Sequence, residues 1–203
     1  MKSKQLLAIG SVAACLFTLV RCSEPSEKNT STAETEKAVV KEDVLDKGKY
    51  LLAIGGCNDC HTPKVMTPQG PMLDTTKIMS GHPAGSPLPE ITYDATKPGN
   101  WVLISGTLTA AVGPWGMSYA ANLTPDSTTG IGSWTVENFI GAIRKGKHLG
   151  QDGGRPLLPP MPWQSIAQWK DEDLTALFTY LKTLPAISNA VPAPVPPTAL
   201  MKK

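Results

Sequence analysis

Residues 56–62 read GCNDCHT, and this stretch constrains the chain's chemistry and fold more than any other. Only four Cys and three His occur in 203 residues, so two cysteines three apart with a histidine directly after them arise by chance in about one such chain in a thousand. If the stretch is helical, Cys60 and His61 follow Cys57 by three and four positions, which puts all three side chains on one face within a single turn. Such a face presents two thiols and one imidazole to a common object.

The surroundings give that helix its setting. Residues 42–56 (EDVLDKGKYLLAIGG) place Val44, Leu45, Leu51, Leu52 and Ile54 at broadly helical spacing, with acids first and a Gly pair last. Residues 135–145 (TVENFIGAIRK) put Val136, Phe139, Ile140 and Ile143 on one face, with Thr135 as N-cap and Gly146 as the stop. A third helix spans 171–184 (DEDLTALFTYLKTL), with Leu174, Leu177, Phe178 and Leu181 on its apolar stripe. Its acids open it, Lys182 closes it and Pro185 ends it. Strand character shows only within 91–112, around ITYDA and WVLISGTLTAAV, where a small hairpin is expected. The fold class is therefore mainly α, with a long and partly irregular insert over 62–121. Tyr50 and Tyr180 are expected between the first and last helices, with Gly48 allowing close approach. The five Trp read as core and wall residues, and Asn122, Thr124 and Asp126 (NLTPD) as a turn with local side-chain hydrogen bonds.

The N-terminal region sets the compartment. Lys2 and Lys4 precede a stretch of fifteen residues, 6–20, that is short of a bilayer span but fits the apolar region of an export signal. The following SEPSEKNTSTAETEK is polar and aperiodic, a flexible linker by composition. The expected organisation is an export signal over 1–21, a linker over 22–41, one domain over 42–190 and a Pro-rich, polyproline-like tail over 191–203. LVRC ending at Cys22 resembles a bacterial lipoprotein cleavage box, although Arg21 stands where a small residue is usual. Cys22 is thus the expected lipid anchor, and the mature protein is expected on the periplasmic side of the membrane. The whole chain carries +2, but without Lys2, Lys4 and Arg21 it has 16 basic against 17 acidic side chains, and no basic stripe points to nucleic acid.

Three chemistries compete for Cys57, Cys60 and His61. A structural zinc site wants four ligands, usually in two pairs, and His82 and His148 stand isolated in Gly/Pro-rich stretches. A thioredoxin-like pair belongs after a strand in a βαβ unit, and no such alternation surrounds this one. Covalent attachment of a c-type haem suits the geometry: the thiols bond the edge of the macrocycle while His61 reaches the iron. For the sixth position, Met161 stands out among seven Met because Pro159, Pro160 and Pro162 crowd it in LLPPMPW. Prolines fix φ and reduce the entropy lost on folding, so the loop can hold a soft thioether in place. Met117 is the runner-up, with His82 and His148 behind it. Arg155, in GGRPLL, has the planar fork to meet a haem propionate.

The helix–CNDCH–helix–Met loop–helix layout resembles the class I cytochrome c domain. More closely, ANLTPDSTTGIGSWTVENFIGAIRKGKH, LLPPMPW and DEDLTALFTYLKTLP resemble exported bacterial cytochromes c, a group that includes the cytochrome c subunits of membrane alcohol and sugar-acid dehydrogenases. The resemblance covers about residues 44–192. It implies thioether links at Cys57 and Cys60, His61 as proximal ligand and Met161 as distal ligand of one haem c. Three departures stand out: one CxxCH where the dehydrogenase subunits carry several, Lys170 where a capping Thr or Ser is usual, and the length of 62–121. With both axial positions filled, the expected role is electron transfer from a dehydrogenase or quinol-linked donor to an oxidase or another cytochrome, rather than catalysis. The alternative is a peroxidase-like haem enzyme with a labile distal ligand.

Overall fold

A computed structural model of the protein describes residues 43–91, 96–99 and 101–200. The export signal, Cys22 and the linker fall outside the described residues, as do residues 92–95 of the ITYDA stretch. Residues 43–54 form helix α1, and Cys57–His61 form the five-residue α2. After the insert come α3 (Val136–Lys145), α4 (Trp163–Ile166), α5 (Asp171–Leu181) and the short α6 (Pro197–Leu200).

Three helices build the core. Leu52 of α1, Phe139 and Ile143 of α3, and Leu174, Leu177, Phe178 and Leu181 of α5 share one buried cluster with Met79, Ile131 and Ile166. The Phe139 and Phe178 rings lie 5.3 Å apart in a tilted pair. Each such side chain contributes roughly 1.5–3 kcal/mol on burial. At Gly48 the crossing of α1 and α5 is so close that a Cβ would sit 2.2 Å from the Ala176 carbonyl oxygen and 2.6 Å from Tyr180 Cβ. Gly48 thus does what its position in the sequence suggests, whereas Tyr50 is 62% exposed. Two residues on from Gly48 is about 200° around the helix, the face away from α5. Ile54 is exposed for the same reason.

Helix α3 begins and ends as its sequence dictates. The Thr135 hydroxyl accepts from the Asn138 N–H at 3.2 Å, and the Asn138 side-chain oxygen accepts from the Thr135 N–H at 3.2 Å. This reciprocal cap is worth about 1 kcal/mol. Gly146 ends the helix in the left-handed region, φ 62°.

The insert is more regular than expected. Strands β1 (Lys64–Thr67) and β2 (Gly70–Leu73) form an antiparallel hairpin directly after α2. Strands β3 (Leu103–Ile104), β4 (Ala110–Gly113) and β5 (Gly116–Tyr119) form a three-stranded antiparallel meander. Strand structure therefore extends to both sides of 91–112. The segment after α5 returns to the insert: Val195 and Met117 exchange two backbone hydrogen bonds of 2.8 and 2.9 Å. The NLTPD turn is built as read, with Asn122 Oδ1 accepting from the Thr124 N–H and hydroxyl, and Asp126 Oδ1 accepting from the Thr128 and Thr129 N–H groups. Among the described residues no helix is long and apolar enough to cross a membrane.

Candidate functional site

Helix α2 brings Cys57, Cys60 and His61 onto one turn. Gly56 turns the chain into it with φ 64°, and Gly55 lets the Trp169 indole close over the junction, since a Cβ there would lie 2.8 Å from the ring. Lys64 stabilises the far end: its ammonium donates to the carbonyls of Asn58 (3.1 Å), Thr62 (2.9 Å) and Asp59. Both cysteines are free and partly exposed.

His61 is buried, and its Nδ1 lies 2.8 Å from the Ala121 carbonyl oxygen. A carbonyl can only accept, so Nδ1 carries the proton and Nε2 is left with its lone pair. Burial holds the imidazole below its ordinary pKa, partly opposed by the Ala121 hydrogen bond. The result is a neutral, oriented ring with one nitrogen able to bind a metal. Burial also pushes the Cys57 thiol up to about 11 and raises Cys60 in the same direction. A dithiol redox pair needs the opposite shift, a stabilised thiolate.

Met161 packs against the core cluster, and so does Cys57. Its loop is fastened at several points. The Leu157 N–H donates to the Gly146 carbonyl at 2.8 Å, and the Trp163 indole lies on Gly146, where a Cβ would meet it at 2.5 Å. Arg144 reaches from α3 to the carbonyls of Ala167 and Trp169 and to Asp171, the last two at 2.7 and 2.5 Å, and so holds the chain that follows α4. The Ser118 hydroxyl donates to the Pro159 carbonyl at 2.6 Å. The peptide bond between Pro159 and Pro160 is cis.

The other candidates lie in different settings. Met117 belongs to β5, where its sulfur accepts from the Tyr119 hydroxyl at 3.0 Å. His82 is buried with Nδ1 2.9 Å from the Thr109 hydroxyl and its ring tilted over Tyr119 at 5.0 Å. His148 meets the Trp134 ring edge-on at 5.2 Å. Arg155 is exposed, close enough to help hold the His148 pKa down after burial has lowered it.

Sequence reading missed Met79. It is fully buried in the core cluster at φ 59°, unusual for a residue with a side chain. Its N–H donates to the Thr62 hydroxyl at 2.9 Å, and the nearby Gly81 N–H donates to the His61 carbonyl at 2.8 Å. The backbone of Met79 is thereby stitched to the His61 segment, and its side chain fills the core cluster against which Cys57 and Met161 pack. Its only sequence signal was membership of a loop containing three methionines.

The donor set fits a covalently held haem: two thiols and a free Nε2 on one helical turn, with a thioether in the same apolar cluster. Among the described residues no group of three or more His, Cys, Asp or Glu side chains is arranged to hold a metal ion.

Relatives point the same way. The gluconate 2-dehydrogenase cytochrome c subunit of Pantoea cypripedii is 31% identical over 137 residues, which is 68% of this chain and 22% of that protein. The fructose dehydrogenase cytochrome subunit of Gluconobacter japonicus is 39% identical over 87 residues, 43% of this chain and 17% of that protein. The chain is a cytochrome c related to these subunits. A nicotinate dehydrogenase subunit from Pseudomonas putida is also similar to this cytochrome, 39% identical over 150 residues, 74% of this chain and 9% of that protein. The chain spans between 9% and 24% of the length of the curated relatives it matches. No protein-family model matches the cytochrome.

Proposed function

We propose that residues 42–190 are a class I cytochrome c domain with one covalent haem c, attached through Cys57 and Cys60 and ligated by His61 and Met161. When bound, the haem supplies exchange of one electron at its iron. Everything else is done by the chain. Ala121 holds His61 in one tautomer and makes its free nitrogen the better donor. Leu52, Phe139, Ile143 and Phe178 exclude water around the group, and a buried site with a thioether ligand favours the less charged, reduced state. Arg155 is the proposed contact of a haem propionate. The observation that carries this reading is the pairing of an oriented His61 with a Met161 that shares the core cluster of Cys57.

With both axial positions filled, the protein is an electron carrier, taking electrons from a dehydrogenase or quinol-linked donor and passing them to an oxidase or another cytochrome. A peroxidase-like site would need a base above an open iron. His82 is instead engaged by Thr109 and Tyr119.

Maturation tests the assignment. The protein made with a cytochrome c maturation system should keep its haem stain on a denaturing gel, and Cys57→Ala and Cys60→Ala should each weaken it. A wild type that loses its colour on denaturation would sink the reading. Export with lipid attached at Cys22 completes the proposal. Fatty-acid label should enter the wild type and be lost in Cys22→Ala, and label retained by that variant would move the anchor elsewhere.

A further inference from the structure

Four consecutive residues of the insert reach both sides of the site. The Ala121 carbonyl accepts from the His61 Nδ1–H at 2.8 Å, and the Ser118 hydroxyl donates to the Pro159 carbonyl at 2.6 Å, two residues before Met161. Ser118 is 7% exposed, on β5 opposite Ala111. Its single proton has two carbonyls to choose from, and Pro159 at 2.6 Å is far better placed than Ala111 at 3.5 Å. The Trp115 indole N–H donates to the same hydroxyl at 3.2 Å and so turns the proton towards the loop. The hydroxyl is thus engaged both as acceptor and as donor.

The composition of the loop makes this bond matter. Pro159, Pro160 and Pro162 have no N–H, so within 158–162 only Leu158 and Met161 can donate from the backbone. The Met161 N–H closes a turn on Leu158 at 3.3 Å, which stiffens the loop without tying it to its surroundings. The other fastenings, at Leu157 and beyond α4, lie outside the proline run. A chain this stiff passes the position of the Pro159 carbonyl on to Met161.

We propose that Ser118 is a positioning residue for the sixth ligand, setting how firmly the Met161 thioether stays on the iron, with Trp115 orienting it. The inference rests on the assignment of Met161 as ligand. It gives the insert a role: β5 couples the proline loop to Ala121, just beyond the strand, which orients His61.

The test is cyanide binding to the oxidised holoprotein, read together with the near-red absorption of the iron–thioether bond and the midpoint potential. Ser118→Ala should keep its covalent haem, raise cyanide affinity about two- to tenfold, the range one neutral hydrogen bond is worth in an equilibrium, and lower the potential. Ser118→Thr, which keeps the hydroxyl, should return all three readouts towards wild type. Trp115→Phe should shift them in the same direction as Ser118→Ala but less, and it remains a test if Ser118→Ala fails to fold. Wild-type cyanide affinity and potential in both Ser118→Ala and Trp115→Phe, beside a Met161→Ala that binds cyanide far more tightly, would overturn the role of Ser118 and leave the ligand assignment standing. Should Met161→Ala itself leave the band and the affinity unchanged, the ligand assignment falls and the Ser118 proposal with it.

Discussion

The His61 side and the Met161 side of the proposed site are held in different ways. On the first, two thiols and an imidazole lie within five residues of one helix, and Lys64, Ala121 and Gly81 fix its end and its ring. On the second, a single sulfur sits in a proline-rich loop tied by the Ser118 hydroxyl of β5, while Arg144 of α3 holds the chain beyond α4. Local spacing determines the first side. The second depends on contacts between segments far apart in the chain, so it is the side on which tertiary changes register first.

The sharpest way to break this contrast is to remove each proposed ligand. His61→Ala should impair both haem attachment and redox behaviour. Met161→Ala should keep a covalent haem while losing the near-red band, lowering the potential and admitting carbon monoxide, and Met117→Ala should change none of these appreciably. If Met161→Ala loses covalent haem as His61→Ala does, the two sides are not separable. Loss of the band in Met117→Ala alone would transfer the ligand role to that residue.

A smaller effect probes the support of the distal loop. Gly146 has φ 62° and no room for a Cβ beneath the Trp163 ring. Gly146→Val should destabilise the protein by about 1–3 kcal/mol in urea and weaken the near-red band before global unfolding. Gly153→Ala, with nothing within 4 Å of its added carbon, should stay within about 0.5 kcal/mol of wild type. Equal midpoints for the two variants would remove the steric argument.

The smallest effect is a pH slope. Burial lowers the pKa of His82, and burial followed by Arg155 lowers that of His148. The unfolded chain therefore binds more protons than the folded one in the window between those lowered values and the ordinary histidine value of 6.5. Stability contributed by the neutral rings is fully present above that value and is lost as pH falls towards the folded pKa. One proton accounts for at most about 1.4 kcal/mol per pH unit. Urea unfolding just above and just below 6.5 should show the slope, and His82→Gln should reduce it. Stability that rises on acidification through this window would contradict the burial of these rings.

The helices were legible because their signals are local. Thr135, Gly146 and the Phe139/Ile143 stripe state where α3 begins, ends and faces, and α5 is as plain. The β1–β2 hairpin escaped for a physical reason: Val65, Met66, Met72 and Leu73 are all exposed, so no alternation separates an inner from an outer face. Its one clue was Gly70, which takes φ 103° at the turn. The CxxCH motif pointed to three site residues without tertiary information. The tertiary contacts around the site were not legible: Ala121 lies 60 residues from His61 and Ser118 lies 41 from Pro159, separations at which no periodicity or motif speaks.

Asn189 closes the molecule in a way that concerns the order of events during synthesis. Its amide donates to the Ser80 and His82 carbonyls at 2.7 and 2.9 Å, and its side-chain oxygen accepts from the Ala84 N–H at 2.8 Å. Those partners are made 105–109 residues earlier. At ribosomal speeds that is a delay of roughly five to twenty seconds, during which Cys57, Cys60 and His61 exist on a chain whose last strap has not been made. Cys57, Cys60 and His61 are thus made well before the segment that ties down Ser80, His82 and Ala84.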